Sequence, residues 1–284
     1  MAGGRSRKLV IGVAFSAILL AGCTAQEREG YARGNIPLET FSAQQIYERG
    51  EYELDRRDGE QAAYYFSEVE RLYPYSEWSK RALIMQAYAF HTEKDYENSR
   101  SSAQRYIDFY PTDEDAAYAQ YLLALSYYDQ IEEVGRDQGL TFQALQALRT
   151  VIERYPESEY ARSSILKFDL AFDHLAGKEM EIGRYYLRDN HFGAAIIRFR
   201  VVVEDFQTTT HTPEALHRLV EAYLSLGLVQ EAQSAGAILG YNYQGSEWYR
   251  DSYTLLTNRG LPLEAQGDNW LAQAYRQMVK GEWL

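Results

Sequence analysis

Cysteine is nearly absent from this sequence of 284 residues, which contains one. A single thiol excludes a scaffold of disulfides within the chain. Proline is also scarce, at six residues, and leaves little room for proline-rich linkers. No apolar run reaches the roughly 20 residues that a membrane-spanning helix needs. The sequence is therefore that of a globular domain without disulfides or a spanning segment.

The sequence also lacks an excess of basic residues. The chain has 29 Lys and Arg against 41 Asp and Glu, which gives a net charge of -12. The first 22 residues hold three basic residues and no acid, so the remainder is near -15. Such an acidic body repels phosphate backbones and anionic lipid surfaces. We therefore expect no nucleic-acid binding and no general electrostatic attachment to membranes.

The first 22 residues have the three parts of a secretory signal. Basic residues at positions 5, 7 and 8 precede an uncharged apolar run over residues 9–20, and two small residues follow. The string LAGC, ending at Cys23, resembles the lipobox of bacterial lipoproteins. In that motif the cysteine receives diacylglycerol and an acyl chain and becomes the new N-terminus. An ordinary signal peptide with an incidental cysteine is the alternative.

Lipidation at Cys23 would anchor the chain firmly, because several acyl chains on one residue hold a protein stably in a membrane. The next residue is Thr24. In lipoproteins of Gram-negative bacteria an Asp at that position is the usual mark of inner-membrane retention. The sequence therefore predicts a protein on the periplasmic face of the outer membrane, held by its lipid alone.

Three segments of the sequence resemble one another. They are VERLYPYSEWSKRAL, YIDFYPTDEDAAYA and VIERYPESEYARSS. Each is typical of a helix end followed by a helix start, because proline cannot continue a helix but is tolerated in its first turn. Small and bulky residues precede the first and third prolines at the offsets of a tetratricopeptide repeat, as Ala62 and Phe66 do before Pro74.

Two further segments keep the spacing without the proline, with Gly183, Ala195 and Phe199 in one of them. The sequence thus predicts an all-α superhelix of about five tetratricopeptide repeats, with an irregular helical bundle as the alternative. An insertion at residue 131 and an extra helix over residues 160–176 are expected between the third and fourth repeats. The predicted starts are Ser42, Arg81, Ala117, Gly177 and Thr212.

The domain organisation follows from these features. The predicted segments are a removed signal peptide (1–22), a lipidated cysteine with a flexible tether (23–42), three N-terminal repeats (43–159), two C-terminal repeats (160–245) and closing helices (246–284).

The sequence lacks several common motifs for catalysis, phosphate binding and metal binding. The five histidines form no HExxH pattern and none neighbours a cysteine. The sequence has no glycine-rich phosphate loop and no G-x-S-x-G nucleophile elbow. We therefore expect neither an enzyme nor a metal site, and no cofactor other than the covalent lipid on Cys23.

Tyrosine is abundant, at 25 residues. The first helices of stacked repeats line a concave groove, and tyrosines recur at the groove-facing positions of the first three repeats. Tyrosine offers a large contact area and a hydrogen-bonding tip. These residues predict a peptide-binding groove, with packing of repeat against repeat as the alternative role of each ring. The predicted groove residues are Tyr47, Arg81, Tyr88, Tyr118, Tyr121 and Tyr128.

The run LAGKEMEIGRYYLRDNHFGAAIIRFRVVVEDFQTTTHTPEALHRLVEAYLSLGL, together with the lipobox and the repeated Tyr-Pro pairs, resembles the BamD (ComL or YfiO) family of outer-membrane assembly lipoproteins. The resemblance covers Phe41 to about Leu256. It implies a subunit of the β-barrel assembly machine. In that family the N-terminal repeats receive the C-terminal targeting strand of unfolded outer-membrane proteins. The C-terminal repeats dock on the periplasmic domains of the barrel subunit, BamA, beside other assembly lipoproteins.

Four arginines in the fourth repeat are candidates for docking on the barrel subunit. Arg198 matches an arginine of the family, and the neighbouring Ile197 and Phe199 are expected to turn inward. Ordinary charge on a helix surface is the alternative. Arg81 is a candidate for the terminal carboxylate of a client strand. The docking candidates are Arg184, Arg188, Arg198 and Arg200.

A repeat lipoprotein of peptidoglycan, cell-division or pilus assembly is the second functional hypothesis. It shares the anchor and the groove, but depletion of such a protein would leave barrel proteins in the outer membrane at normal levels.

Overall fold

The computed structural model of the chain describes residues 37–134, 136–263 and 270–271. The predicted signal peptide, Cys23 and most of the predicted tether lie outside these residues. Within them the chain is helical and has no strand, which confirms the all-α prediction. After a 3-10 turn at Leu38–Thr40, the helices are α1 (Ala43–Asp55), α2 (Gly59–Leu72), α3 (Glu77–Thr92), α4 (Tyr96–Phe109), α5 (Ala116–Tyr128), α6 (Gly139–Arg154), α7 (Glu159–Arg188), α8 (Phe192–Asp205), α9 (Thr212–Ser225), α10 (Val229–Asn242) and α11 (Glu247–Thr257).

The chain divides into two compact units between Ala89 and Phe90, within α3. In the first unit, α1 packs on α2. Gly50 of α1 makes this contact close, because a Cβ at that position would be 2.6 Å from Cε1 of Phe66. The Phe66 ring is fully buried and occupies the space that a side chain at position 50 would take.

In the second unit each helix from α4 to α11 packs on the next, and α9 also contacts α11. Gly183 of α7 repeats the arrangement of the first unit, since a Cβ there would be 2.5 Å from Cε1 of the buried Phe199. Both glycines precede their phenylalanine by the same number of residues. This shared packing is the tetratricopeptide spacing that the sequence predicts.

The predicted helix junctions share one hydrogen-bonded turn. At Tyr155 the backbone N–H donates to the carbonyl of Val151, and three residues later the Ser158 hydroxyl donates to the Tyr155 carbonyl. Ser158 also accepts from the Ala161 N–H and so caps α7. Aromatic residues begin the same turn at Tyr73, Phe206 and Tyr243, where a Ser or Thr hydroxyl donates to the aromatic residue's carbonyl. At Tyr110 the backbone N–H of Asp113 donates to the carbonyl, without a hydroxyl.

The extra helix predicted over residues 160–176 does not exist as a separate element. Residues 159–188 form one continuous helix, α7, so that this segment and the first helix of the fourth repeat are one rod. The physical reason is the absence of a breaker: α7 contains no proline, and its glycines at 177 and 183 are helical positions against which other residues pack. The predicted insertion is present as the connection between α5 and α6.

Both ends of the described chain are held by packing. The last residues of the predicted tether contact α2 and its C-terminal turn, through an ion pair of 3.3 Å between Glu39 and Arg71 and a hydrogen bond from the Tyr73 hydroxyl to the Phe41 carbonyl. Near the other end, Leu271 is fully buried and the Trp270 Nε1 donates to the Tyr223 hydroxyl at 3.0 Å. Of the predicted closing helices, α11 is present, and most of the second lies outside the described residues.

The described helices contain none that is both long and apolar enough to span a membrane.

Candidate functional site

The predicted groove tyrosines of α5 form an aromatic cluster with a residue of α7. The ring of Tyr160 lies 5.2 Å from that of Tyr118 and 5.3 Å from that of Tyr121, at tilted angles. All three rings are partly exposed. Burial raises the pKa of the Tyr160 hydroxyl, and the nearby Glu159 adds to this, so the hydroxyl stays protonated at neutral pH and can donate a hydrogen bond.

A single ammonium group borders this cluster. The Lys167 Nζ lies 5.8 Å from the centre of the Tyr121 ring and 5.7 Å from that of Tyr128, distances at which a cation is attracted to an aromatic face. Lys167 follows Tyr160 by seven residues, or two helical turns, and therefore lies on the same face of α7. We call Tyr118, Tyr121, Tyr128, Tyr160 and Lys167 the tyrosine cluster.

Sequence reasoning missed two members of the tyrosine cluster, Tyr160 and Lys167. Both lie in the segment that the sequence predicts as an extra helix outside the repeats. The spacing of a tyrosine and a lysine by two helical turns, directly after the third repeat, is the signal that could have identified them.

The three predicted groove residues of the first unit have different surroundings. Tyr47 is only 7% exposed and its ring packs between those of Phe66 and Trp78, at 5.3 and 5.1 Å. It therefore has little surface to offer a ligand. Arg81 is exposed and its guanidinium lies over the Trp78 ring. Tyr88 is 37% exposed.

The two predicted docking arginines of α7 border a cavity of about 370 Å³, which is also lined by Glu181, Leu187 and Arg218. Arg184 is engaged within the protein: its Nε and Nη2 donate to the two carboxylate oxygens of Glu214, at 2.9 and 2.8 Å. Arg188 is exposed, and within the described ranges its side chain has no ion-pair partner. Of this pair, Arg188 is the one available to an external carboxylate.

The two predicted docking arginines of α8 are also paired. Arg198 is 3.0 Å from Glu179 of α7, and Arg200 is 2.8 Å from Glu204 and stacks on Trp270. The prediction for the neighbours of Arg198 is half right. Phe199 is buried, whereas Ile197 is 62% exposed, because it falls in the outward stripe of α8 that also contains Arg200.

Ion pairs link the fourth and fifth repeats. Glu214 accepts from Arg184 and from Arg218, and Arg218 also pairs with Glu221 at 2.8 Å. Burial raises the pKa of Glu214, but the hydrogen bonds and charges of the two arginines outweigh it and hold the pKa below the ordinary value of 4.5. The pKa of Glu221 is lowered for the same reason, with His217 and Arg218 as its partners.

No set of three or more His, Cys, Asp or Glu side chains is arranged to hold a metal ion in the part of the chain that the structure describes. His217, for example, lies against a hydroxyl instead, with its Nδ1 2.8 Å from the Oγ of Ser252.

Comparison with known proteins gives consistent matches. Residues 39–238 match the model of the YfiO family, described as an outer membrane lipoprotein. An "Outer membrane protein assembly factor BamD" of Caulobacter vibrioides is 47% identical over 253 residues, which cover 89% of this chain and 82% of the relative. A protein of that name from Rickettsia prowazekii is 43% identical over 213 residues, or 75% of this chain and 85% of its own.

The solved structure of a tetratricopeptide-repeat protein from Thermus thermophilus aligns with 76% of this chain and 100% of its own, at 19% identity and a TM-score of 0.37. That overlap is too loose to support an argument about function. The family match and the two relatives cover most of the sequence, including α1 to α9 and most of α10. The chain belongs to the YfiO (BamD) family of outer membrane lipoproteins.

Proposed function

We propose that this protein is a subunit of the machine that assembles β-barrel proteins into the outer membrane. The observation that carries the proposal is the 47% identity to an outer membrane protein assembly factor over 89% of the chain. In this role the protein is anchored by lipid on Cys23 and faces the periplasm. It binds unfolded barrel proteins and the barrel subunit beside other assembly lipoproteins, and it performs no reaction of its own.

The tyrosine cluster supports the client-binding part of the proposal. A targeting strand that alternates apolar and polar residues and ends in an aromatic side chain needs flat apolar faces with hydrogen-bonding tips. The rings of Tyr118, Tyr121 and Tyr160 supply both. Lys167, beside two of the rings, offers a positive charge to a terminal carboxylate. Arg81, in the first unit, is a separate candidate for such a carboxylate.

A peptide-binding measurement tests this site. The probe is a fluorescent decapeptide with alternating apolar residues and a C-terminal phenylalanine, prepared with a free carboxylate and as the amide. We expect Tyr121→Ala to weaken binding of both forms about tenfold, since it removes one stacked ring. We expect Lys167→Gln to weaken only the free-carboxylate form, by about fivefold.

The matched control is Tyr253→Ala, which removes a half-exposed tyrosine of α11 outside the tyrosine cluster. Its affinity for the peptide should equal that of the unchanged protein. If Tyr121→Ala and Tyr253→Ala bind the peptide equally well, the tyrosine cluster is not the client site.

Docking through Arg198 requires a test that separates an external partner from the internal pair with Glu179. Arg198→Glu should release the protein from the barrel subunit in a pull-down from detergent-solubilised envelope. The double variant Glu179→Arg, Arg198→Glu restores an internal pair with the charges exchanged. If the double variant regains the barrel subunit, Arg198 acts by holding α7 to α8 and not by touching the partner.

Depletion in cells tests the function as a whole. We expect barrel proteins of the outer membrane to fall in abundance. Normal barrel levels together with a loss of peptidoglycan or pilus proteins would support the second functional hypothesis instead.

A further inference from the structure

A second groove, of about 510 Å³, runs along the middle and C-terminal part of α7, beyond the tyrosine cluster. Its floor is α7, and its two walls are the insertion between α5 and α6 and the turn before α9. Gly177 lies on the floor between the two walls, since a Cβ there would be 3.2 Å from the His211 Nε2 and 3.7 Å from the Val134 Cγ1. The lining residues are Glu133, Val134, Leu170, Asp173, His174, Gly177, Glu181, Arg184 and His211.

The walls of this groove are fixed by hydrogen bonds. The backbone N–H and the hydroxyl of Thr210 both donate to one carboxylate oxygen of Asp173, at 2.9 and 2.8 Å, and the other oxygen lies 3.4 Å from the His211 Nε2. On the opposite wall the side-chain amide of Gln138 donates to the Val134 carbonyl. The groove is therefore formed before any ligand enters it.

The charge of the groove is negative. Glu133, Asp173 and Glu181 contribute three carboxylates, and the single guanidinium, of Arg184, is already neutralised by Glu214. Within the described residues, the side chains of Glu133 and Glu181 have no ion-pair or hydrogen-bonding partner. Two unneutralised carboxylates, one on a wall and one on the floor of a concave surface, attract a cation.

The groove also has an apolar end. Leu170 lines it and is 63% exposed, and Leu166, one turn earlier on the same face of α7, is exposed to the same extent. At the other end the groove continues into the cavity beside Leu187, because Glu181 and Arg184 line both. From Leu170 to Arg188 the floor is about 27 Å long, the length of roughly eight residues of extended chain.

We propose that this groove binds an extended segment of a partner protein that carries a lysine or arginine between apolar side chains. The basic residue pairs with Glu133 and Glu181, and the apolar neighbours cover Leu170 on one side and Leu187 on the other. This site shares no residue with the tyrosine cluster, so the proposed segment binds in addition to the client strand.

Fluorescence anisotropy with three labelled nonapeptides tests the proposal. The peptides share the same leucines and differ in a central Arg, Gln or Glu. The full-length mature chain should bind the Arg peptide about tenfold more tightly than the Glu peptide, and the difference should shrink at high salt. Glu181→Gln should weaken the Arg peptide about fivefold and leave the Gln peptide unchanged. Leu170→Ser should weaken all three peptides.

The matched control is Glu153→Gln, which removes an exposed carboxylate of α6 outside the groove and should leave all affinities unchanged. All substituted residues are exposed, and circular dichroism checks that each variant is folded. Equal binding of the three peptides, or equal effects of Glu181→Gln and Glu153→Gln, would overturn the proposal.

Two other results would also overturn it. Loss of Arg-peptide binding in Tyr121→Ala would place the peptide in the tyrosine cluster. A dimer in sedimentation that Leu170→Ser dissociates would show that a second copy of the chain covers the groove. Loss of client-peptide binding in Tyr121→Ala with the Arg peptide unaffected supports the groove as an independent site.

Discussion

At the scale of single residues, Gly183 is where the smallest change has a large expected effect. A methyl group there would be 2.5 Å from the buried ring of Phe199. Because the added methyl group would overlap this fully buried ring, we expect Gly183→Ala to lower the free energy of unfolding by about 1–3 kcal/mol. Urea unfolding followed by circular dichroism measures the change.

The control for this prediction is Gly193→Ala, in the first turn of α8, where an added Cβ would have no neighbour within 4 Å among the described residues. Alanine favours a helix over glycine by about 1 kcal/mol, so this variant should be neutral or slightly more stable. A comparable loss of stability in both variants would mean that the contact with Phe199 is not the cause.

Also at the residue scale, Glu214 makes the stability of the second unit depend on pH. Its pKa is lower in the folded chain than the ordinary 4.5, so its stabilising effect is complete above about pH 4.5 and is lost as the pH falls through the folded value. We expect urea unfolding to show a fall in stability below pH 4.5. In Arg184→Met this part of the fall should be smaller, since one of the two arginines that lower the pKa of Glu214 is gone.

A pH dependence of Arg184→Met equal to that of the unchanged protein would contradict this explanation. The matched control is Arg162→Met, which removes an exposed arginine from the same helix at a position away from Glu214.

At the scale of elements, the same hydrogen-bonded turn connects helices at several places in the chain. Ser158→Ala removes the acceptor of the Ala161 N–H and the donor to the Tyr155 carbonyl. We expect a loss of about 1 kcal/mol in the free energy of unfolding, the usual value of an N-cap. Ser163→Ala, inside α7, removes a hydroxyl without a capping role and should change stability by less than about 0.5 kcal/mol. Equal losses of stability in Ser158→Ala and Ser163→Ala would mean that the capping hydrogen bonds are not the cause.

The sequence predicted the elements better where a local signal marks their ends. Proline made the junctions at Tyr73, Tyr110 and Tyr155 recognisable. The junctions at Phe206 and Tyr243 use the same turn without proline, and their signal is an aromatic residue followed three positions later by Thr or Ser. The sequence prediction missed the continuity of α7. Repeat spacing indicates where a repeat begins, but whether the preceding helix ends there depends on a helix breaker such as proline.

For side chains the limit was tertiary packing. A tyrosine that faces a groove and one that is enclosed between helices can occupy the same repeat position, so the sequence does not distinguish them. The contacts with Phe66 and Trp78 show that Tyr47 is enclosed. The sequence shows that the candidate arginines lie near one another along the chain, but the carboxylate partners of Arg198 and Arg184 are 19 and 30 residues away. Spacing within one helix cannot predict such pairs.

At the scale of the whole molecule, the described residues after Gly260 contribute to the core of the second unit through Leu261, Leu263, Trp270 and Leu271. Leu271 is fully buried in the cluster that contains Phe199 and Leu256. We expect Leu271→Ala to lower the free energy of unfolding by about 2–5 kcal/mol. Leu166→Ala, at an exposed position, should change it by less than about 0.5 kcal/mol. The same urea titration measures both, and similar values for the two would show that Leu271 is not part of the core.

The unbroken course of α7 has a mechanical consequence. A helix of 30 residues is about 45 Å long, and it carries Tyr160 and Lys167 near one end and Arg184 and Arg188 at the other. Because the helix is continuous between these positions, a tilt of its N-terminal part also moves its C-terminal part. If the proposed client site at Tyr160 and the proposed docking site at Arg188 are both used, this continuous helix connects them directly.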